Sequence, residues 1–285
     1  MITIEQLRYV RLGTRDLPAA ADFATRILGL QLVERTPQQA TFRSDFRDHT
    51  LVYVAGDPSE QAVGFELRDE DAFQAALAAL AERGIQATPG TAEEAALRKV
   101  KAFAAVRDPS GNRIELVLRP MQSGWRFHPT RDSGVTGLEA VALRGTAGEA
   151  DGDFWTRLLG GRVSDWVGDA AYIRFDGGAH HRLAVHPAAT AGVLAVEYRV
   201  EGVNQLMQNK YFLQASQVRI VHGPGRRPTS EQMFLTFAGP DGVLFSYVTE
   251  GEGAIDEARH RPRQFPRERG SFCSWGSESA IPEFA

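Results

Sequence analysis

Phe23-Ala-Thr-Arg-Ile-Leu-Gly29 and Phe154-Trp-Thr-Arg-Leu-Leu-Gly160 are near copies of one another, 131 residues apart (154 − 23). At the same offset Leu7, Val10 and Leu12 meet Leu138, Val141 and Leu143, and Glu66 meets Glu197. Pro109 and Gly111 of one turn meet Pro240 and Gly242 of another. Four matches in order at one spacing mark a duplication, and a repeat constrains the architecture more than any single element. His49-Thr-Leu-Val also lies over His181-Arg-Leu-Ala, with a one-residue slip.

Each copy reads as a strand (7–13; 138–143) followed by an amphipathic helix (about 17–28; about 148–159). Gly29 and Gly160 end those helices, where a left-handed cap is easily accommodated. Strands rich in aromatic and β-branched residues come next. Each copy then starts again, with an Ala-rich helix near 69–83 in the first and a helix near 202–213 in the second. Hairpins centred on Pro-x-Gly close both copies. The prediction is an α+β fold of four β-α-β-β-β units forming two tandem domains, 1–120 and 137–250. A Pro/Gly/Ser-bearing linker spans 121–136, and a tail spans 251–285. The tail reads equally as a frayed end or as a strap carrying Phe265, Phe272 and Trp275 over a pocket.

Composition narrows the function classes. The 285 residues are 43% hydrophobic and 24% charged, as in ordinary globular proteins. With 32 Lys+Arg against 36 Asp+Glu, a net charge of −4 gives no pull toward nucleic acid or an anionic membrane. No apolar run approaches the ~20 residues of a membrane span, and the N-terminus lacks a signal-peptide layout. A cytoplasmic protein is expected. Cys273, the single cysteine, excludes an internal disulfide or multi-cysteine metal site, and with no base nearby it reads as structural. "GGAHH" (177–181) and "GPGRR" (223–227) are turns before strands rather than phosphate loops.

The four units, with Asp108-Pro-Ser-Gly-Asn-x-x-Glu115-Leu closing the first half, resemble the vicinal oxygen chelate (glyoxalase/bleomycin resistance/extradiol dioxygenase) superfamily. "LGTRDLPAAADFATRILGLQLVER" (12–35) and the two-half layout are similar to type I extradiol ring-cleavage dioxygenases. That resemblance implies sheets curled into half-open barrels. It also implies Fe(II) in the second half, held by two histidines and one glutamate that leave positions open for catecholate and dioxygen. Carried over one position at a time, the ligand places hold Ala140, Val193 and Ser246. Alanine and valine cannot coordinate iron, and a lone hydroxyl is a poor ligand. Equivalent places in the first half hold Tyr9, Ala62 and Glu115. No metal or other cofactor is therefore expected. Glu139, next to Ala140, points to the opposite face and reads as a solvated edge carboxylate.

The family's cavity histidine pair survives as His180-His181. The resemblance makes His181 the acid/base residue, with His180 beside it and Arg227 as a possible oxyanion partner. The ordinary alternatives are a hydrogen-bonded pair at a strand start and a surface arginine beside Arg226. Ala140, Val193, Thr236, Ser246, Trp166, Tyr172 and Phe234 are the expected ligand-contacting set, although such aromatics are more often simply core packed against helices. Three functions fit. One is metal-free acid/base chemistry on an aromatic small molecule, and another is a binding or sequestering protein for a hydrophobic ligand. The third is ring cleavage through an atypical set such as His181, His186 and Glu139. Partners expected are a small aromatic or hydrophobic ligand and a second copy of the chain.

Overall fold

The computed structural model describes residues 2–175, 178–249, 251 and 255–285. The first unit comprises β1 (Ile4–Thr14), α1 (Leu17–Asp22), β2 (Gln31–Arg35), β3 (Gln39–Arg43) and β4 (Leu51–Ala55). The second comprises β5 (Gln61–Leu67), α2 (Glu70–Ala81), β6 (Thr88–Pro89), α3 (Ala92–Leu97), β7 (Val100–Arg107) and β8 (Arg113–Pro120). The third has β9 (Val135–Gly145), α4 (Glu149–Asp153), β10 (Arg162–Val167), β11 (Ala170–Arg174) and β12 (Leu183–Pro187). The fourth has β13 (Gly192–Val200), α5 (Val203–Ala215), β14 (Ile220–Arg226), β15 (Met233–Ala238) and β16 (Leu244–Thr249). The tail adds β17 (Arg263–Phe265) and α6 (Arg269–Phe272).

In every unit the first strand runs parallel to the last: β1 to β4, β5 to β8, β9 to β12 and β13 to β16. Antiparallel contacts β1–β5 and β9–β13 then join two units into one sheet per half. The strand orders are β2-β3-β4-β1-β5-β8-β7-β6 and β14-β15-β16-β13-β9-β12-β11-β10-β17. The two tandem α+β domains read from the repeat are therefore present.

The repeated heptapeptides fold alike. Both α1 and α4 widen into a π turn, at Phe23–Ile27 and Phe154–Leu158. Thr25 Oγ1 donates to the Ala21 carbonyl at 3.0 Å and Thr156 Oγ1 to that of Gly152 at 2.7 Å. Gly29 (φ 77°) and Gly160 (φ 71°) then leave the helix in a left-handed conformation that a side chain would strain. These turns lock the halves together. Phe23 packs on Phe245 of the fourth unit at 5.3 Å, and Trp155 on Phe65 of the second at 5.5 Å. The main apolar core accordingly spans both halves, leaving a second face of each sheet curled around its own interior.

One feature of the repeat is corrected. Glu197 lies opposite Ala140 and beside Ser246, whereas in the first half Gly64 lies opposite Tyr9 and beside Glu115. Glu66 sits two residues further on, beside Val117. A slip of two keeps a strand's faces, so the sequence match survived while the equivalence did not. The glycine has its own cause, since a Cβ on Gly64 would lie 2.6 Å from the Tyr9 ring. Gly64→Ala is expected to cost about 1–3 kcal/mol by overpacking. A urea midpoint lowered at unchanged slope would show this, and an unchanged midpoint would mean that Tyr9 can swing away.

Candidate functional site

Strand register decides what faces the interior of the second half. Across β9 and β13, Ala140 is opposite Glu197 and Ala142 opposite Ala195. Ser246 and Thr236 face one another on β16 and β15, their hydroxyls 2.7 Å apart. Thr236, with Ala142, Tyr172, His186, Glu197, His222, Arg227 and Phe234, surrounds one hollow. Ala140 and Ser246 share that face of the sheet without being part of the lining, and neither His180 nor His181 lines it. Two further expected contacts lie elsewhere. A bulge in β13 sets Val193 opposite Leu143, in the main core on the other face. Trp166 alternates with Asp165 and Val167, so it faces outward and lines a separate groove of ≈ 510 Å³ beside α4.

The tail closes the hollow. β17 pairs with β10, and Phe272 and Phe284 complete the lining. Phe284 sits 5.3 Å from the His186 ring and 5.8 Å from the His222 ring, with Arg144–Glu283 (2.5 Å) fastening the strap. Phe265 packs at the edge of the same cluster, while Trp275 is 53% exposed and takes no part. What remains is ≈ 20 Å³ open to the centre of a water molecule, room for a water or two and no ring.

A buried polar chain runs beside this space. Arg227 grips Glu197 through both terminal nitrogens, at 3.0 and 2.5 Å. The Arg227 side chain is 12% exposed, and Glu197 holds its pKa above the ordinary arginine value despite desolvation. The surface reading of that arginine is thus replaced by an internal ion pair. His181 Nε2 stands 3.8 Å from Glu197 Oε2, and its Nδ1 is 3.1 Å from His180 Nδ1. His180 Nε2 in turn meets Asp165 Oδ2 at 2.9 Å, and Arg263 Nη2 meets the same oxygen at 2.7 Å. Burial pushes Asp165 up, but hydrogen bonds from His180 and Arg263 win and hold it below the usual carboxylate range.

That order of partners assigns the tautomers. A carboxylate only accepts, so His180 carries its proton on Nε2 and offers Nδ1 as acceptor. His181 therefore carries its proton on Nδ1, leaving the Nε2 lone pair toward Glu197, whose own side chain lines the hollow. Burial, reinforced by His180 and Arg227, lowers the His181 pKa well below the ordinary 6.5. It is therefore neutral at pH 7.

The three carried-over ligand places offer a divalent ion one hydroxyl, and that is bonded to Thr236. Glu197, the one carboxylate on the hollow's wall among the described residues, is committed to Arg227. This donor set does not fit an iron triad. Glu139 does face away from Ala140, but it is buried rather than solvated, bridging Arg182 and Arg199 at 3.0 Å each.

Asp165, Glu197, His222 and Phe284 were not in the expected catalytic and ligand-contacting set, while His186 entered only through the atypical ring-cleavage set and Phe272 only through the strap. Asp165 and Glu197 had a usable signal, a lone acid in a β-branched or aromatic strand, but their partners come from distant segments. Burial and the Arg227 charge bring His186 down to about 4, and burial brings His222 to about 4. Unfolded, each protonates near 6.5, so their stabilisation is complete above 6.5 and is lost as pH falls toward 4. Each should cost about 2 kcal/mol at pH 5. Urea unfolding at pH 7 and pH 5 checks this: His222→Gln should remove about one histidine's share of the pH 5 loss. An unchanged loss would mean His222 is solvated.

Paired half-barrels of β-α-β-β-β units, with a polar hollow inside the second, define a vicinal oxygen chelate architecture. The chain belongs to the Glyoxalase/Bleomycin resistance protein/Dioxygenase superfamily, whose profile matches residues 6–116 and again 137–247. It is 25% identical to an iron-dependent extradiol dioxygenase of Rhodococcus jostii, over 98% of this chain and 99% of that one. It is 31% identical to a 1,2-dihydroxynaphthalene dioxygenase of Sphingobium xenophagum, over 58% of each chain. A solved Mn(II)-bound glyoxalase from Novosphingobium aromaticivorans superposes with a TM-score of 0.88, at 21% identity, covering 100% of this chain and 95% of that one. Among the described residues no helix is long and apolar enough to cross a membrane.

Proposed function

We propose that the second half is a metal-independent acid/base site for an oxygenated aromatic or conjugated small molecule. The observation that carries this is the Asp165–His180–His181 chain, which leaves a neutral imidazole nitrogen beside a largely buried arginine. His181 Nε2 would take a proton from carbon or oxygen of the ligand. The bond's electron pair would move onto a ligand oxygen as an enolate or phenolate, held by the remaining N–H of Arg227 and the Thr236 hydroxyl. Returning the proton to another carbon completes an isomerisation and needs no co-reactant. Glu197 at 3.8 Å would steady the transient imidazolium.

The hollow is too small for a ring as it stands, so Phe272 and Phe284 must give way to a ligand. The same aromatic closure supports a second reading, a binding protein that clasps a planar hydrophobic molecule between Tyr172, Phe234 and Phe284. Turnover of conjugated enols and phenols by chelator-treated protein separates the two. An enzyme loses its rate in His181→Asn, whereas a binder only shifts affinity. One iron or manganese per chain together with cleavage of a catechol would sink both readings.

A further inference from the structure

The first half has a hollow of its own, and it is built around arginine. A recess of ≈ 490 Å³ is lined by Arg11, Arg98, Arg107 and Arg113, with Asp57 and Glu60 among its other walls. Arg11 stands on β1 opposite Ala62 of β5, two residues from Tyr9 and so on the same inward face. At the repeat offset (11 + 131) its counterpart is Ala142, which lines the other hollow. One half thus places a cation where the other has a methyl group.

That cation is incompletely satisfied. Arg11 is only 9% exposed, its Nη2 reaches Gln39 Oε1 at 3.5 Å, and its Nη1 has no hydrogen-bond partner. The nearby carboxylate is already used. Glu115 accepts from Arg98 at 2.7 and 2.8 Å, from Arg113 Nε at 3.2 Å and from the Tyr9 hydroxyl at 2.8 Å. Asp57 and Glu60 are exposed, so water screens them. A buried cationic N–H without an acceptor is costly, and an oxyanion entering the recess would supply one. Burial and the neighbouring Arg98 both lower the Arg11 pKa, a strain an anion would relieve.

We propose that this recess binds a small organic anion by its carboxylate or phosphate group, with Arg11 and Arg113 as donors. Its volume lies within the roughly 300–1,000 Å³ of small-molecule sites. A guanidinium fork suits the planar carboxylate or a phosphate face. The site is independent of the acid/base chemistry proposed for the second half.

Titration calorimetry of the full chain at low ionic strength, with inorganic phosphate and separately with benzoate, tests the proposal. One site per chain is expected for at least one probe, and which probe binds assigns the head group. Arg11→Gln should weaken binding about 10- to 100-fold, the loss of a charged hydrogen bond. Arg113→Ala, at a side chain 37% exposed, should weaken it less without disturbing the fold. Arg11→Met should bind neither probe yet unfold at higher urea without ligand, since it removes a lone buried charge. Absence of binding by either probe, or wild-type affinity in both Arg11→Gln and Arg113→Ala, would overturn the proposal.

Discussion

Arg227→Met should lower the unfolding free energy by about 3–5 kcal/mol, because it strands the Glu197 carboxylate in an interior with no other strong donor. For a chain of this size that corresponds to a melting temperature lower by roughly 6–20 °C. Both side chains are nearly enclosed, 12% and 6% exposed, so solvent screens the pair little. Glu197→Leu should cost a similar amount by leaving the guanidinium without a carboxylate, held by Gln232 Oε1 at 3.3 Å and the Phe234 ring at 5.3 Å. The double variant Glu197→Leu/Arg227→Met should recover most of the loss, because desolvating two charges nearly cancels their attraction. A single-variant loss below about 1 kcal/mol would show that the pair is solvated in solution, as surface pairs are. Recovery in the double variant would also mean that stability does not require the charges, which leaves ligand binding as their use.

The pair is informative about the duplication. Each half buries a glutamate–arginine clasp at its interior, but from different strands. Glu115 comes from β8 with Arg98 after α3, and Glu197 from β13 with Arg227 after β14. The repeat was legible because hydrophobic periodicity and turn glycines tolerate substitution, so the Phe-x-Thr-Arg-x-Leu-Gly copies survive where the sites have diverged. Helix positions were close to expectation for the same reason. α3 was missed, although its capping box, Thr91 with Glu94, is visible as Thr-Ala-Glu-Glu.

The site was less legible, for identifiable reasons. Trp166 was placed with the ligand-contacting aromatics, but strand alternation gives that face to Asp165 and Val167 and turns Trp166 to the groove beside α4. Val193 follows the family alignment, but one bulged residue between it and Ala195 moves it to the other face. Phe284 lies nearly a hundred residues from His186 in sequence, and no periodicity reports such a contact. His180 and His181 were found only through the family. Their neighbourhood supplies what spacing could not, an acid at one end and an acid–arginine pair at the other.

His181→Asn should reduce turnover by about 10²- to 10⁴-fold, the usual worth of a positioned general base. An asparagine fills similar volume and still hydrogen-bonds His180, so the fold should persist, and ligand affinity should change little. Asp165→Asn should be nearly as damaging, although Asp165 reaches His181 only through His180. The amide can donate to His180 Nε2, which drives the His180 proton to Nδ1 and turns it against His181 Nδ1. His181 must then protonate on Nε2, and the lone pair on the Glu197 side disappears. Nitrogen-15 imidazole shifts report this directly, without a substrate: His181 should be Nδ1-protonated in the wild type and Nε2-protonated in Asp165→Asn. The rate profile gives a second check. A base is active when deprotonated, so the wild-type rate should be level through neutrality and fall only well below pH 6.5, following the lowered His181 value. Equal tautomers in the two proteins, or a His181→Asn rate within tenfold of wild type, would remove His181 as the base and leave the binding reading.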